Sequence, residues 1–196
     1  MNSRDTILAD LRRAAPPRSP RPEFPLAITY ANPEAQFAET FTSVGGTFFR
    51  VASPVELDAE LRKLELYAKA RKIVSLVPGA GASTVDLPAM KRPHELEGVD
   101  LAILPGEFGV AENGAVWVPG SSLGPQRAIF VIAEHLVLVV PASQIVHTMQ
   151  HAYHRIRFER PGFGLFISGP SKTADIEQSL VIGAHGARSC TLFLVG

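Results

Sequence analysis

The chain has 196 residues, 46% of them hydrophobic, and its 19 basic side chains balance its 19 acidic ones. This composition excludes general disorder, and the zero net charge argues against binding of nucleic acid or anionic membranes through bulk charge. The single cysteine, Cys190, excludes an internal disulfide and is too few for an iron–sulfur cluster held by this chain alone. With no long apolar segment either, the chain is predicted to be cytoplasmic and to lack a membrane span.

The first 25 residues are predicted to form an N-terminal helix and a proline-rich arm. Residues 6–14 place Ile7, Leu8 and Leu11 on one side of a short helix. The next segment holds five prolines between Pro16 and Pro25, which is typical of an extended linker. A single α/β domain is therefore predicted over residues 26–196.

Helical patterns recur along this domain. Asn32 and Ser53 each precede a proline and predict helix N-termini, and the second helix repeats apolar residues at i, i+4, i+7 and i+11 from Leu57. A third helix is predicted from Ser143 to about residue 157, and a fourth over 173–182.

Short apolar runs predict strands between these helices. Their ranges are 47–51, 73–77, 101–104, 115–118, 130–133, 136–140, 165–167 and 191–195. Apolar strands separated by helices indicate a layered α/β domain with a largely buried sheet.

The first candidate site lies where the strand at 165–167 leads through Gly169 into the predicted helix. Ser171 or Thr173 is placed to cap that helix. Asp175 lies in its first turn, where a negative charge suits the helix dipole.

Backbone amides at such a helix start, with Lys172 beside them, form a site for an anion. The glycine spacing departs from the Walker pattern, so an ATPase is not predicted. A well-capped helix without a ligand explains the segment equally well.

The second candidate is Glu112, which with Asn113 lies between two apolar runs and precedes Gly114. A carboxylate held at a strand end is placed to act as a nucleophile or a base. The pattern alone favours a simpler hairpin turn, because Asn-Gly is the strongest hairpin dipeptide.

The third candidate is the loop with Gly79 and Gly81, which follows a predicted strand and has backbone amides to offer a phosphate or carboxylate. The dinucleotide fingerprint fails here, because Thr84 takes the place of its third glycine. The residues favour a plain loop.

Histidines form a further pattern. His147, His151 and His154 are spaced to share one helix face, which favours a solvated or interface surface over a metal centre. No metal site is predicted. His185 follows a predicted helix and is interpreted as closing its negative end.

Two segments resemble a known family. The segment from Gly169 to Gly186, with Gly-Pro-Ser-Lys-Thr-Ala-Asp-Ile-Glu, resembles the C-terminal signature of the lactate utilization protein C (LutC-like) family, which carries the LUD domain. The segment Phe-Gly-Val-Ala-Glu-Asn-Gly from Phe108 is similar to the family's central motif, with Asn113 in place of the more usual threonine. The early helix and the amphipathic N-terminal segment also resemble this family, so the resemblance spans nearly the whole chain.

The resemblance implies a three-layer α/β/α sandwich of the NagB/RpiA/CoA-transferase-like fold. In CoA transferases of that fold, a Ser-Glu-Asn-Gly motif carries the nucleophilic glutamate, and Glu112 lies in a similar sequence that departs from it at Ala111. The family implies a subunit of a bacterial system that oxidises L-lactate to pyruvate. Iron–sulfur clusters are then expected in partner proteins, and no cofactor is identifiable in this chain.

Three hypotheses follow. The first is this LutC-like subunit, with Glu112 as base or nucleophile in a pocket walled by the Gly79 loop, the Glu112 turn and the Gly169 helix start. Its small anionic ligand, a carboxylate or phosphate, would contact Gly79, Gly81, Asn113, Gly169, Ser171, Lys172, Thr173 and Asp175. The second is a stand-alone CoA-transferase-like or phosphosugar-acting enzyme that uses Glu112. The third is a non-catalytic assembly or ligand-sensing module.

Overall fold

The computed structural model describes residues 2–17, 19–20, 28–124, 126–157, 162–174 and 180–196. Within them, the α-helices are α1 (Ser3–Ala14), α2 (Pro33–Ser43), α3 (Pro54–Lys63), α4 (Glu65–Lys69), α5 (Ile129–Ile132) and α6 (Met149–Arg155). The strands are β1 (Thr47–Val51), β2 (Ile73–Ser75), β3 (Leu101–Pro105), β4 (Phe108–Val110), β5 (Ala115–Pro119), β6 (His135–Pro141), β7 (Ile145–Val146), β8 (Gly164–Ile167), β9 (Lys172–Thr173), β10 (Val181–Ile182) and β11 (Ser189–Val195).

Five parallel strands form the central sheet, in the order β1-β11-β6-β3-β2. A second sheet has four strands in the order β7-β4-β5-β8, and β9 pairs with β10 in a short antiparallel ribbon. The parallel sheet confirms the predicted α/β class.

The two faces of the central sheet carry separate cores. On one face, Leu57 and Leu61 of α3 pack with sheet residues such as Ile103 and Phe193. On the other face, α2, α5 and the second sheet pack against alternate residues of the same strands. Phe41 of α2 belongs to this core. The arrangement has the predicted three layers, but one outer layer contains a sheet as well as helices.

Two predicted caps start helices as expected. The Asn32 side chain accepts a hydrogen bond from the Ala35 N–H at 3.0 Å, and Ser53 Oγ accepts one from the Glu56 N–H at 3.2 Å. Each satisfies a backbone donor that the first helical turn leaves unpaired. The predicted N-terminal helix is also confirmed, as α1, and none of its residues is buried. The domain boundary at residue 26 lies outside the described residues.

Three predicted elements are wrong in type or extent. The long helix after Ser53 is interrupted at Leu64, whose extended backbone separates α3 from α4. The apolar run 130–133, predicted as a strand, belongs mainly to α5. Ser143 lies in a short 3-10 turn that leads into β7, and α6 begins only after Thr148, whose hydroxyl accepts a hydrogen bond from the His151 N–H.

The helix predicted over 173–182 is wrong at both ends. Thr173 pairs with Val181, and Lys172 pairs with Ile182, in the β9–β10 ribbon. Residues 175–179 between these strands lie outside the described part of the chain.

No helix in the described ranges combines the length and the apolar character needed to cross a membrane.

Candidate functional site

The turn between β4 and β5 is the predicted Asn-Gly hairpin. Asn113 Oδ1 accepts a hydrogen bond from the Ala115 N–H at 3.1 Å, and Gly114 has φ +66°. A Cβ at Gly114 would lie 2.8 Å from the backbone nitrogen of Phe41. Glycine is therefore required here both for its backbone conformation and for the close approach of α2.

Glu112 lies in this turn, and its exposed carboxylate is bound at the start of α6. Its Oε2 accepts a hydrogen bond from the Met149 N–H at 2.8 Å, while its own N–H donates to the His147 carbonyl at 3.0 Å. A negative charge is favourable at a helix N-terminus, so this contact stabilises the helix start. The catalytic role of Glu112 remains a prediction.

A second turn, at Gly169, lies beside the first. Ser168 Oγ donates a hydrogen bond to the Asn113 carbonyl at 2.8 Å. Gly169 has φ +71°, and a Cβ there would lie 2.8 Å from the Val44 carbonyl oxygen. The structure thus brings two of the three predicted site segments together.

The residues after Gly169 do not form the predicted helix start. The Ser171 N–H donates to the Ala187 carbonyl, and the Ser171 carbonyl accepts from the Gly183 N–H, both at 2.9 Å. Lys172 donates its ammonium to the Val44 carbonyl. An anion site made from helix amides is therefore absent at Ser171 and Thr173, and Asp175 lies outside the described residues.

A cleft of about 250 Å³ opens next to the Gly169 turn. Its walls combine α5, the end of β8, the turn after β8 and the segment before β11. The described lining residues are Phe130, Val131, Leu136, Leu165, Phe166, Ile167, Ser168, Gly169, Pro170, Ser171, His185, Gly186 and Ala187.

The polar side chains of this cleft are few. Ser168, Ser171 and His185 are the polar side chains among its described lining residues, and neither lysine, arginine nor a carboxylate occurs there. The sequence interpretation placed His185 at a helix end and missed its place in the cleft. The glycines on both sides, Gly183 and Gly186, were the available signal for a turn that can approach other segments.

The Gly79 loop is not part of this arrangement. It follows the carboxyl end of β2, whereas the cleft lies beside Leu136 and Ala187, near the amino ends of β6 and β11. The predicted pocket with three walls is therefore not formed. The Gly79 loop lies at the carboxyl ends of the parallel strands, and the cleft lies at their amino ends.

The Gly79 loop already holds a carboxylate of the chain itself. Asp58 Oδ1 accepts a hydrogen bond from the Gly81 N–H at 2.7 Å, and Asp58 Oδ2 accepts one from Arg62 Nε at 2.7 Å. The Arg62 contact, followed by the Gly81 contact, lowers the pKa of the Asp58 carboxyl below its usual value. At Gly79 itself, φ is +77° and a Cβ would meet no atom within 4 Å.

The three histidines do not share a helix face, because His147 precedes α6. His147 Nδ1 accepts a hydrogen bond from the Tyr30 N–H at 3.0 Å, and the His147 and His151 ring centroids are 5.4 Å apart. His154 is exposed on α6. In the described part of the chain, no group of three or more histidine, cysteine or carboxylate side chains is arranged to hold a metal ion.

Cys190 lies in β11 and is 1% exposed. Burial raises the pKa of its thiol to about 12. The thiolate is the reactive form of cysteine, so this side chain is an inert part of the core at neutral pH.

These features define a mixed α/β protein with a parallel central sheet and a small, largely apolar cleft on one of its faces. The model of the LUD domain family matches residues 82–195, which is more than half of the chain. The match includes every described residue that lines the cleft. The chain therefore belongs to the LUD domain family.

Relatives of this chain include proteins named lactate utilization protein C. One, from Shouchella clausii, is 37% identical over 99 residues, which cover 47% of this chain and 42% of the relative. Another, from Bacillus subtilis, is 34% identical over 105 residues, covering 50% of this chain and 43% of the relative. The matched segment thus spans less than half the length of these relatives.

The fold is also shared with a solved structure. A DUF162 family protein from Deinococcus radiodurans superposes with a TM-score of 0.60 at 18% identity, covering 86% of this chain and 99% of the other. At this identity, the similarity establishes the α/β fold alone.

Proposed function

We propose that this protein is a LutC-like component of a bacterial system that oxidises L-lactate to pyruvate. The observation that carries the proposal is the family match over residues 82–195, together with relatives named lactate utilization protein C that match about half of the chain. The matched region includes the hairpin of Glu112 and the cleft, so the shared sequence covers the part of the chain where a ligand would bind.

The proposal assigns electron transfer to iron–sulfur partner proteins in the cytoplasm. Iron–sulfur clusters are usually held by several cysteine thiolates. The one cysteine of this chain, Cys190, is buried in β11. Because this thiol is buried, it is not available to bind a cluster, which supports the proposal that partner proteins hold the clusters.

Deletion of the gene in its own host tests the proposal. We expect growth on L-lactate as the sole carbon source to be lost and growth on glucose to be unchanged, with rescue by the gene supplied on a plasmid. Normal growth of the deletion strain on L-lactate would contradict the proposal.

The partner assignment has a separate test. A tagged copy expressed in the host during growth on L-lactate is expected to co-purify with proteins that contain iron and acid-labile sulfide. A copy expressed at the same level during growth on glucose is the control. Purification without iron under both conditions would exclude stable iron–sulfur partners.

A further inference from the structure

We propose that the cleft beside Gly169 binds a small monocarboxylate, with the carboxylate at Ser171 and His185 and the carbon skeleton against the apolar walls. The inference deepens the proposed function, because it assigns a ligand class to this site. His185 is a residue that the sequence interpretation left without a role in binding.

The first step is the shape and chemistry of the walls. Phe130, Val131, Leu165 and Phe166 line a space of about 250 Å³ that is open to solvent. Val131 remains 42% exposed. Ligand sites combine such apolar walls with a few polar groups that orient the ligand.

The second step is that two of the three polar side chains of the cleft are available. Ser168 already donates its hydroxyl hydrogen to the Asn113 carbonyl. Within the described part of the chain, neither the Ser171 hydroxyl nor the His185 ring takes part in a hydrogen bond. Both therefore remain free to donate to a ligand oxygen.

The third step is the charge. Lys172 is bonded to the Val44 carbonyl, and Arg188 is paired with Glu134 at 2.8 Å. His185 is then the one basic side chain among the described lining residues. One basic side chain and one hydroxyl match a single carboxylate, whereas a phosphate dianion or a CoA pyrophosphate needs several cationic or amide donors.

The test is an NMR titration of the 15N-labelled full chain with sodium L-lactate, sodium propionate and inorganic phosphate. We expect the two carboxylates to shift the amide signals of Ser171 and of residues 185–187, and to leave the Gly79 signal unchanged. Phosphate is expected to bind at least tenfold more weakly. Tighter binding of phosphate, or no carboxylate-dependent shift at these amides, would overturn the inference.

Variants sharpen the assignment. His185→Gln removes the imidazole ring, and we expect the Kd for L-lactate to rise about tenfold; Ser171→Ala removes one donor and should raise it about fivefold. His185→Arg supplies a permanent charge and should restore affinity. The matched control is His154→Gln, an exposed histidine on α6, for which we expect no change. Equal affinity in the wild type and in His185→Gln would contradict the role of His185.

The two proposals fail in different ways. If the deletion strain loses growth on L-lactate but neither carboxylate shifts the cleft signals, the cleft assignment is wrong and the function stands. If the carboxylates bind at the cleft and the deletion strain grows normally on L-lactate, the site stands and the proposed function is wrong.

Discussion

The two faces of the central sheet are covered in different ways. On one face, α3 and α4 lie across the strands, and Leu57 and Leu61 pack into the core at helical spacing. The other face is covered by α2, the short helix α5 and the second sheet. This second face holds the Glu112 hairpin, the Gly169 turn and the cleft.

The helical face contributes mainly to stability, whereas the other face contains the candidate binding site. A layer of regular helices buries apolar area efficiently but leaves little concave surface. The irregular layer contains tight turns that approach one another closely, such as Gly114 against Phe41 and Gly169 against Val44. Such turns bring polar groups from distant parts of the chain to one place, which is what a binding site requires.

The largest effect is expected from Leu61→Ala on the helical face. Leu61 is fully buried, so its truncation should lower the free energy of unfolding by about 2–5 kcal/mol. Urea denaturation measures this loss, and Val55→Ala on the same helix, 81% exposed, should cost almost nothing. Carboxylate binding at the cleft should be unchanged in both variants while they remain folded, and a weaker affinity in Leu61→Ala would show that the two faces are coupled.

The next largest effect concerns two glycines with a left-handed backbone, Gly114 and Gly79. Gly114→Ala places a Cβ on a left-handed backbone and 2.8 Å from the backbone nitrogen of Phe41, so it should cost more than about 2 kcal/mol. Gly79→Ala has the same backbone penalty without a clash and should cost about 1–2 kcal/mol. Thermal and urea unfolding of the two variants measure the difference. Equal losses would show that the Gly114 turn relaxes away from α2.

Local signals in the sequence predict where helices start on both faces of the central sheet. Asn32 and Ser53 are side-chain caps followed by proline, and such signals act within one turn of the chain. The strand 47–51 is predicted with its observed bounds. Errors arise where local signals are ambiguous, because a run of four apolar residues such as 130–133 fits either a strand or a buried helix.

The candidate site is predicted only in part, since it depends on contacts between distant segments. The sequence indicated Glu112 and Gly169 because each lies in a turn that local residues define. The hydrogen bond from Ser168 to the Asn113 carbonyl joins residues 55 positions apart, and no local sequence pattern predicts it. For the same reason, the position of His185 in the cleft and the separation of Gly79 from it could not be predicted.

A smaller effect is expected for Glu112→Gln on the second face. The glutamine retains an oxygen that can accept from the Met149 N–H but loses the negative charge at the start of α6. Stability should fall by about 0.3–1 kcal/mol. Because the carboxylate does not line the cleft, growth on L-lactate should be retained. Loss of that growth with a folded protein would assign Glu112 to catalysis, as the sequence predicts.

The smallest effect is a pH dependence on the helical face. The pKa of Asp58 is lowered in the folded protein, so its charged form stabilises the fold fully above the carboxyl pKa of the unfolded chain, about 4. That contribution is lost as the pH falls through the lower folded value. Asp58→Asn should therefore lose less stability than the wild type between pH 6 and pH 3 in urea unfolding. An identical loss in both proteins would show that the contacts of Asp58 with Arg62 and Gly81 add no net stability.

The position of β11 has a consequence for synthesis on the ribosome. This strand lies between β1 and β6, so β1 has no neighbour in the central sheet until β11 has emerged. Roughly 140 residues separate Val51 from Ser189, and translation at about 5–20 residues per second makes β1 wait on the order of 10–30 s. During that interval Phe48 and Phe49, which later pack in the two cores, lie on an unpaired strand. The nascent chain is therefore expected to bind ribosome-associated chaperones through β1 and to release them once β11 has emerged and pairs with β1.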